Sequence, residues 1–287
     1  MKYWFMDQHS SSHGVQKMCR VLGVSRSGYY GWKKKPEGKR KKENEKILIK
    51  INESYNKNEG RYGSPRITED LRADGDMYGE NRIARIMKEN GIMAKTARKF
   101  KATTNSRHNL PVAENLLKQD FTSEKPNTIW VSDITYIWTL EGWLYLVVIL
   151  DVFSRQVVGW AMSKRLTANF VVRALHQAVG RRKPETGCIL HSDQGVQYAC
   201  TDFLNVLKQY GFIQSMSRRG NCYDNALAES FFKTLKTEQV YHCRYVTREE
   251  ARQSIFEYVE MYYNRQRRHS ALGYRSPVAF ELENMAA

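Results

Sequence analysis

One charged residue inside an apolar strand constrains this chain more than any other feature. From residue 128 the sequence reads TIWVSDITYIW, then WLYLVVILDVFS after a Glu141-Gly142 turn, then QVVGWAMS. β-Branched and aromatic runs bounded by a Gly-bearing turn predict three successive strands in hairpin order. Asp133 interrupts the first of them, where a carboxylate needs a partner or a metal to offset its desolvation. Downstream, the pattern predicts a helix over Ala168–Arg181, a short strand CILHSD and a helix TDFLNVLKQYG. A strand FIQSMS and a helix DNALAESFFKTLKTEQV follow. The order β-β-β-α-β-α-β-α describes an α/β fold, a mixed sheet with helices packed on it.

The region before residue 120 is different in kind. Lys and Arg outnumber Asp and Glu by 46 to 30 over 287 residues, a net charge of +16, of which +12 lies in the first 120 residues. That concentration points to a polyanion partner docking mainly on the N-terminal part. Residues 14–32 carry a short helical pattern at Val15, Met18, Cys19 and Leu22, stopped by Gly23, with Ser25 as the N-cap of a second helix. This arrangement suits a helix-turn-helix with Arg26 and Ser27 early in the second helix, although any helical hairpin would look similar. The run KKKPEGKRKK (33–42) reads as a linker extended by its like charges. Residues 43–57 form an amphipathic helix through Ile47, Ile51 and Tyr55; the chain then breaks at Gly60, Gly63 and Pro65 and restarts as a helix at Ile67. The helix 80–91 carries Arg82, Arg85 and Lys88 on one outward face, suited to DNA phosphates or, equally, to solvent. Lys95–Leu110 reads as a basic linker.

Several classes are excluded. The longest apolar run, Trp143 to Leu150, has eight residues where about 18 are needed to cross a bilayer, so no membrane is expected. The five cysteines are scattered without a Cys-x-x-Cys pair, which supports neither a disulfide framework nor a zinc knuckle. With no leader pattern at the start, a reduced, cytoplasmic protein is expected.

Two further acids join Asp133. Asp193 ends the predicted strand Cys188–His191, where α/β sites form, and Glu229 lies in the helix beginning near Asp224, with 35 residues between the two. Around Glu229 the residues Leu227, Phe231 and Leu235 form a core stripe, which predicts Asn225, Glu229 and Lys236 on the opposite face with Lys233 beside them. The plain alternative is an exposed Glu229–Lys233 pair worth about 0.2–0.5 kcal/mol. Acids from separate elements suit hard cations such as Mg²⁺, and carboxylates beside a polyanion track make sense only with cations between them and phosphates.

The segments WVSDITYI, LDVFSRQVVGW, HSDQGVQY and DNALAESFFKTLKTE resemble the catalytic core of insertion-sequence transposases related to retroviral integrases, the DD(35)E group. MKYWFMDQH, MCRVLGVSRSGYYGW, YGSPRITEDL and YNRQRRHSALGYRSPVAF extend the resemblance over nearly the whole chain, and the match is to the second-frame (OrfB) protein of the insertion sequence three family. The resemblance implies a ribonuclease-H-like, five-stranded mixed sheet flanked by helices, preceded by small all-helical, helix-turn-helix-like modules. It implies Asp133, Asp193 and Glu229 as catalytic metal ligands for two Mg²⁺ ions, with Mn²⁺ as a substitute, and Lys236 as a contact to end DNA. His191, Gln197, Tyr198 and Asn225 match positions bordering the site. Asp151 matches a structural position, and His269 a packing or DNA-backbone position. The paired His/Cys zinc module of retroviral integrases has no counterpart here.

The expected domains are 1–42, helix-turn-helix-like with a basic linker; 43–110, a helical DNA-binding module and linker; 120–240, the catalytic core; and 241–287, a C-terminal helix and basic tail. The expected function is Mg²⁺-dependent cleavage at insertion-sequence ends and strand transfer. Expected partners are double-stranded DNA of terminal repeats and target, at least one further copy on paired ends, and an upstream-frame protein, since in this family full end recognition and a leucine zipper belong to that frame. A bacterial, nucleoid-associated location follows. The alternatives are a DNA-binding regulator inactive by itself and, more weakly, a ribonuclease or junction resolvase on the same fold.

Overall fold

The computed structural model describes residues 1–34, 39–96, 112–218 and 221–285. The chain forms two compact units, Met1–Met93 and Ala94–Ala287.

The first unit is all helical. Helices α1 (Lys2–Gln8), α2 (Val15–Leu22) and α3 (Arg26–Lys34) enclose Met6, Met18, Cys19 and Tyr29. Gly23 ends α2 in the left-handed region at φ 62°, which glycine adopts without a steric penalty. The Ser25 hydroxyl then accepts from the Gly28 N–H at 2.9 Å, closing the first turn of α3. The linker expected at 33–42 is shorter than its charge suggested. Lys33 and Lys34 finish α3, residues 35–38 lie outside the described set, and α4 (Lys39–Lys57) already begins within the basic run. The basic stretch at 95–110 lies largely outside the described residues. Helices α4, α5 (Ser64–Ala73) and α6 (Glu80–Glu89) bury Ile47, Ile51, Ile67, Leu71, Ile83 and Ile86. α5 starts at Ser64, three residues before the expected Ile67, because Pro65 lies in the first turn, where its missing N–H costs no helix bond.

The second unit is built on the mixed sheet β3-β2-β1-β4-β5. β1 (Ile129–Thr139), β2 (Gly142–Asp151) and β3 (Val157–Ser163) form the expected antiparallel meander. β4 (Ile189–Ser192) lies parallel to β1, and β5 (Ile213–Met216) parallel to β4. α7 (Ala168–Arg182), the short α8 (Val196–Ala199) and α9 (Thr201–Gln209) supply Phe170, Val171, Leu175, Tyr198 and Phe203 to a core shared with Trp130, Val147 and Ile149 of the sheet. α10 (Ala226–Glu238) packs along β1. α11 (Arg248–Phe256) is capped by Thr247, whose Oγ1 accepts from the Glu250 N–H at 3.1 Å, and runs into a π-helical stretch, Glu257–Tyr263. The wider turn buries Tyr258, Val259, Tyr262 and Tyr263 together. α12 (Pro277–Met285) ends the described chain. No helix among the described residues is long and apolar enough to cross a membrane.

Side chains occupy the outer edge of β3. The Asn264 amide donates to the Val157 carbonyl and accepts from its N–H, both at 2.9 Å. Gln177 accepts from the Trp160 N–H at 2.7 Å, and Arg173 and Arg252 donate to the Met162 carbonyl. At the opposite edge the Met216 N–H donates to the Glu114 carbonyl of an irregular segment.

Gly159 sets the distance between β3 and α7. A Cβ there would collide with the Ala174 carbonyl oxygen and lie 2.7 Å from Ala178 Cβ. Gly159→Ala is therefore expected to destabilise the second unit by about 1–3 kcal/mol, because backbone atoms must shift to admit it; urea denaturation followed by circular dichroism reads the loss.

Candidate active site

The ladder between β1 and β4 ends on the pair Ser132↔Ser192. The residues that follow are Asp133 and Asp193, so a parallel register only four pairs long delivers two carboxylates side by side. Each is held by a local backbone amide: Asp133 Oδ1 accepts from the Ile134 N–H at 2.7 Å and Asp193 Oδ1 from the Gly195 N–H at 3.0 Å. A Cβ on Gly195 would lie 3.0 Å from that Asp193 oxygen, so any larger residue there would press on the carboxylate. Glu229 stands exposed in the first turn of α10.

Electrostatics joins the three. Desolvation raises the Asp133 carboxyl well above its usual range, and the charges of Asp193 and Glu229 raise it further; the Ile134 N–H and Lys236 oppose the shift. Glu229 is raised by partial burial and by Asp193. Desolvation lowers the Lys236 ammonium pKa, offset in part by Asp133. The cluster thus carries mutually repelling charge that a cation would relieve.

α10 does not have the solvent face expected of it. Leu227, Phe231 and Leu235 form the core stripe, but Asn225 and Lys236 are buried too. Lys236 Nζ lies 5.2 Å from the centre of the Tyr136 ring on β1. The helix packs along β1 as well as onto the core, so the face that a single stripe assigns to water is half covered. Lys233 alone of these is exposed beside Glu229. The C-terminal end of α10 is pinned by a buried pair: Arg267 donates to both Glu238 carboxylate oxygens at 2.8–3.1 Å, and the Tyr258 hydroxyl donates to Oε2 at 2.8 Å. Neither Glu238 nor Arg267 stood out in the sequence: each sits among polar neighbours, in KTEQ and NRQRRH, where nothing signals burial.

The bordering residues form a polar layer. The Tyr198 hydroxyl meets Ser132 Oγ at 2.8 Å. Asn225 Nδ2 donates to the Ser132 carbonyl at 3.3 Å, while its Oδ1 is buried with no hydrogen-bond partner. Gln197 is half-buried in the turn after Asp193, its Oε1 3.2 Å from a Cβ built on Gly195. His191 lies between the hydroxyls of Ser215 (2.8 Å) and Ser217 (3.1 Å), and burial pushes its imidazole down to about 4. It is therefore neutral at neutral pH, with both ring nitrogens engaged. Asp224 was not anticipated: Arg218, Asn115 and Gln119 all donate to it, and the Arg218 hydrogen bond holds its carboxyl well below the usual range. Asp151 is fully buried and accepts from the Asn127 and Phe153 N–H groups, a structural role as expected. His269 packs on Tyr263, with Nε2 3.1 Å from the hydroxyl.

In the first unit, Arg26 is exposed at the start of α3, over the Tyr30 ring. The outward face expected on α6 divides. Arg85 and Lys88 are exposed, whereas Arg82 is half-buried and donates to Asn44 Oδ1 at 2.8 and 3.0 Å and to Glu43 at 2.9 Å. Its side chain belongs to the α4–α6 packing.

All-oxygen donors from Asp133, Asp193 and Glu229, with the unpartnered Asn225 Oδ1 near them, suit a hard divalent cation. As the side chains stand, no group of three or more His, Cys, Asp and Glu among the described residues is arranged to hold a metal ion. Since the folded His191 imidazole titrates near 4 and an unfolded one near 6.5, its neutral burial stabilises fully above pH 6.5 and is lost as pH falls toward 4. Urea titrations are expected to show about 2–3 kcal/mol less stability at pH 4.5 than at pH 7 from this group, a difference that His191→Asn removes.

The chain matches family models for an "Integrase core domain" over residues 123–222 and 229–285, and for an "HTH-like domain" over residues 42–100. The latter match falls on α4–α6 and not on the helical pair at 14–32. A protein from Shigella sonnei described as "Insertion element IS600 uncharacterized 31 kDa protein" is 48% identical across 92% of this chain and 97% of its own length. "Transposase InsF for insertion sequence IS3A" of Escherichia coli (strain K12) is 42% identical across the full length of both. Among solved structures, the HTLV-2 integrase catalytic core in complex with magnesium covers 55% of this chain and 97% of that one, at 17% identity and a TM-score of 0.42. By full-length likeness at these identities, the chain belongs to the transposases of the insertion sequence three (IS3) family, with an integrase-type polynucleotidyl-transferase core and a helix-turn-helix-like region before it.

Proposed function

We propose that this transposase cleaves DNA at insertion-sequence ends and joins the freed ends to target DNA in Mg²⁺-dependent reactions at Asp133, Asp193 and Glu229. The observation carrying this reading is the Ser132↔Ser192 register that sets Asp133 beside Asp193, with Glu229 adding to the same field. These three carboxylates would hold two Mg²⁺ ions, with Mn²⁺ able to replace them. The bound ions supply Lewis-acid charge to the scissile phosphate. Asp133 and Asp193 are kept in place by the Ile134 and Gly195 amides, and Lys236 is positioned against Tyr136 to contact a backbone phosphate near the site. Lys233 extends that contact outward. His191, Asn225 and Gln197 hold the surrounding backbone and side chains in register. In the first step water attacks the end phosphodiester and releases a 3′ hydroxyl. In the second, that hydroxyl attacks a target phosphodiester and displaces its 3′ oxygen, with no covalent protein intermediate.

Arg26, Arg85 and Lys88 contact DNA phosphates through the first unit; Arg82 contributes by holding α6 against α4. Two ends must be paired for transposition, so at least two copies act together, and an upstream-frame protein completes end recognition.

Asp193→Asn is expected to abolish cleavage and strand transfer while leaving DNA affinity nearly unchanged; strand transfer by this variant with Mg²⁺ present would overturn the assignment. The double variant Arg85→Ala/Lys88→Ala is expected to reduce the slope of log affinity against log salt by about 2, one per lost phosphate contact. An unchanged slope in fluorescence-anisotropy titrations would remove these residues from the DNA interface.

A further inference from the structure

Five residues along β1 from Asp133 the same strand carries an exposed aromatic surface. Trp138 pairs directly opposite Trp143 across the β1–β2 hairpin, and their rings meet edge-on with centroids 4.8 Å apart. They are 56% and 44% exposed, an unusual place for two indoles when the sheet beside them has a large core. Strand alternation turns Asp133 and Trp138 to opposite faces of β1, and the link between the two regions runs through Lys236. The Trp143 ring lies 5.0 Å from that of Tyr136, Lys236 Nζ lies 5.2 Å from the Tyr136 ring, and the Lys236 ammonium feels the Asp133 carboxylate. Arg248 borders the far side, its Nε donating to the Trp143 carbonyl at 3.1 Å and its guanidinium 4.0 Å from the Glu141 carboxylate.

We propose that Trp138 and Trp143 form a stacking platform for an unpaired DNA base close to the reacting phosphate. The inference rests on the transposase reading above and names a contact within its substrate. Exposed rings flanked by cations match the chemistry of a nucleotide, whose flat apolar base is attached to an anionic phosphate. Neither a lipid surface nor an apolar protein face calls for the partly exposed Arg248 guanidinium at one end of the aromatic row, with the buried Lys236 ammonium near the other. From Asp133 to Trp138 the strand advances about 17 Å, roughly five nucleotide steps of B-form DNA at 3.4 Å per strand. The platform is thus in reach of bases a few positions from the cut, where a strand must separate from its complement to thread the site. Lys236 links the two regions: its ammonium lies against the Tyr136 ring and is influenced by the Asp133 charge.

The test uses the full chain carrying Asp193→Asn with Mg²⁺ omitted, so that binding is measured whether or not the three carboxylates catalyse. Two end DNAs are compared, one fully paired and one with three mismatched bases beside the cleavage position. Trp143→Ala and Trp138→Ala are expected to weaken binding to the mismatched DNA by about tenfold and to leave the paired DNA nearly unchanged. Trp143→Phe should retain most of the preference, since a phenyl ring also stacks. Thermal melting separates this from hairpin stabilisation: losing a cross-strand aromatic pair with a purely structural role lowers the melting temperature and weakens binding to both DNAs equally. Equal loss on both DNAs, no loss on either, or a loss confined to self-association in sedimentation would each overturn the platform.

Discussion

Two carboxylates held next to each other, partly removed from water, form the constraint around which the second unit is organised. Asp133 and Asp193 repel, and desolvation adds to that cost. The fold keeps them together because neither can leave without breaking the β1–β4 ladder that ends at Ser132 and Ser192. Among the groups that offset the repulsion are a backbone amide for each and a buried lysine. Such an arrangement stores unfavourable charge in the resting protein, which a bound divalent cation would relieve.

Much of this was legible in the sequence because strands advertise themselves. The β-branched and aromatic runs at 129–139, 142–151 and 157–163 identified the meander, and the interruption at Asp133 identified the residue of interest. Other features were hidden because they depend on partners distant in sequence. Lys236 and Asn225 read as surface residues from the Leu227–Phe231–Leu235 stripe, yet α10 packs along β1 as well as onto the core, and both are buried. Arg82 shared its helical face with Arg85 and Lys88, but Glu43 and Asn44 of α4 claim it. α1 escaped notice since only Met6 of its seven residues is buried, leaving no periodicity to read. The start of α5 was displaced by taking Pro65 for a break when it lies in a first turn.

The C-terminal segment explains why residues far from the carboxylates in sequence belong to the same architecture. Arg267 and Tyr258 meet Glu238 in a water-excluded cluster at the end of α10, two residues beyond Lys236. A buried ion pair of this kind contributes little net stability, but losing one partner leaves an uncompensated charge. Its value is in fixing the rotation of α10, and with it the directions of Glu229 and Lys236. The π-helical stretch serves the same end by bringing Tyr258, Tyr262 and Tyr263 to one side.

The treatment of the sheet margins bears on how copies can meet. At β3 the outward hydrogen-bonding groups of Val157, Trp160 and Met162 are consumed by Asn264, Gln177, Arg173 and Arg252, and at β5 the Met216 amide is taken by the chain at Glu114. Strand addition, the simplest way for two sheets to join, is thereby closed at those positions. If copies assemble on DNA as proposed, contacts at these margins would run through side chains, leaving each sheet intact when they part.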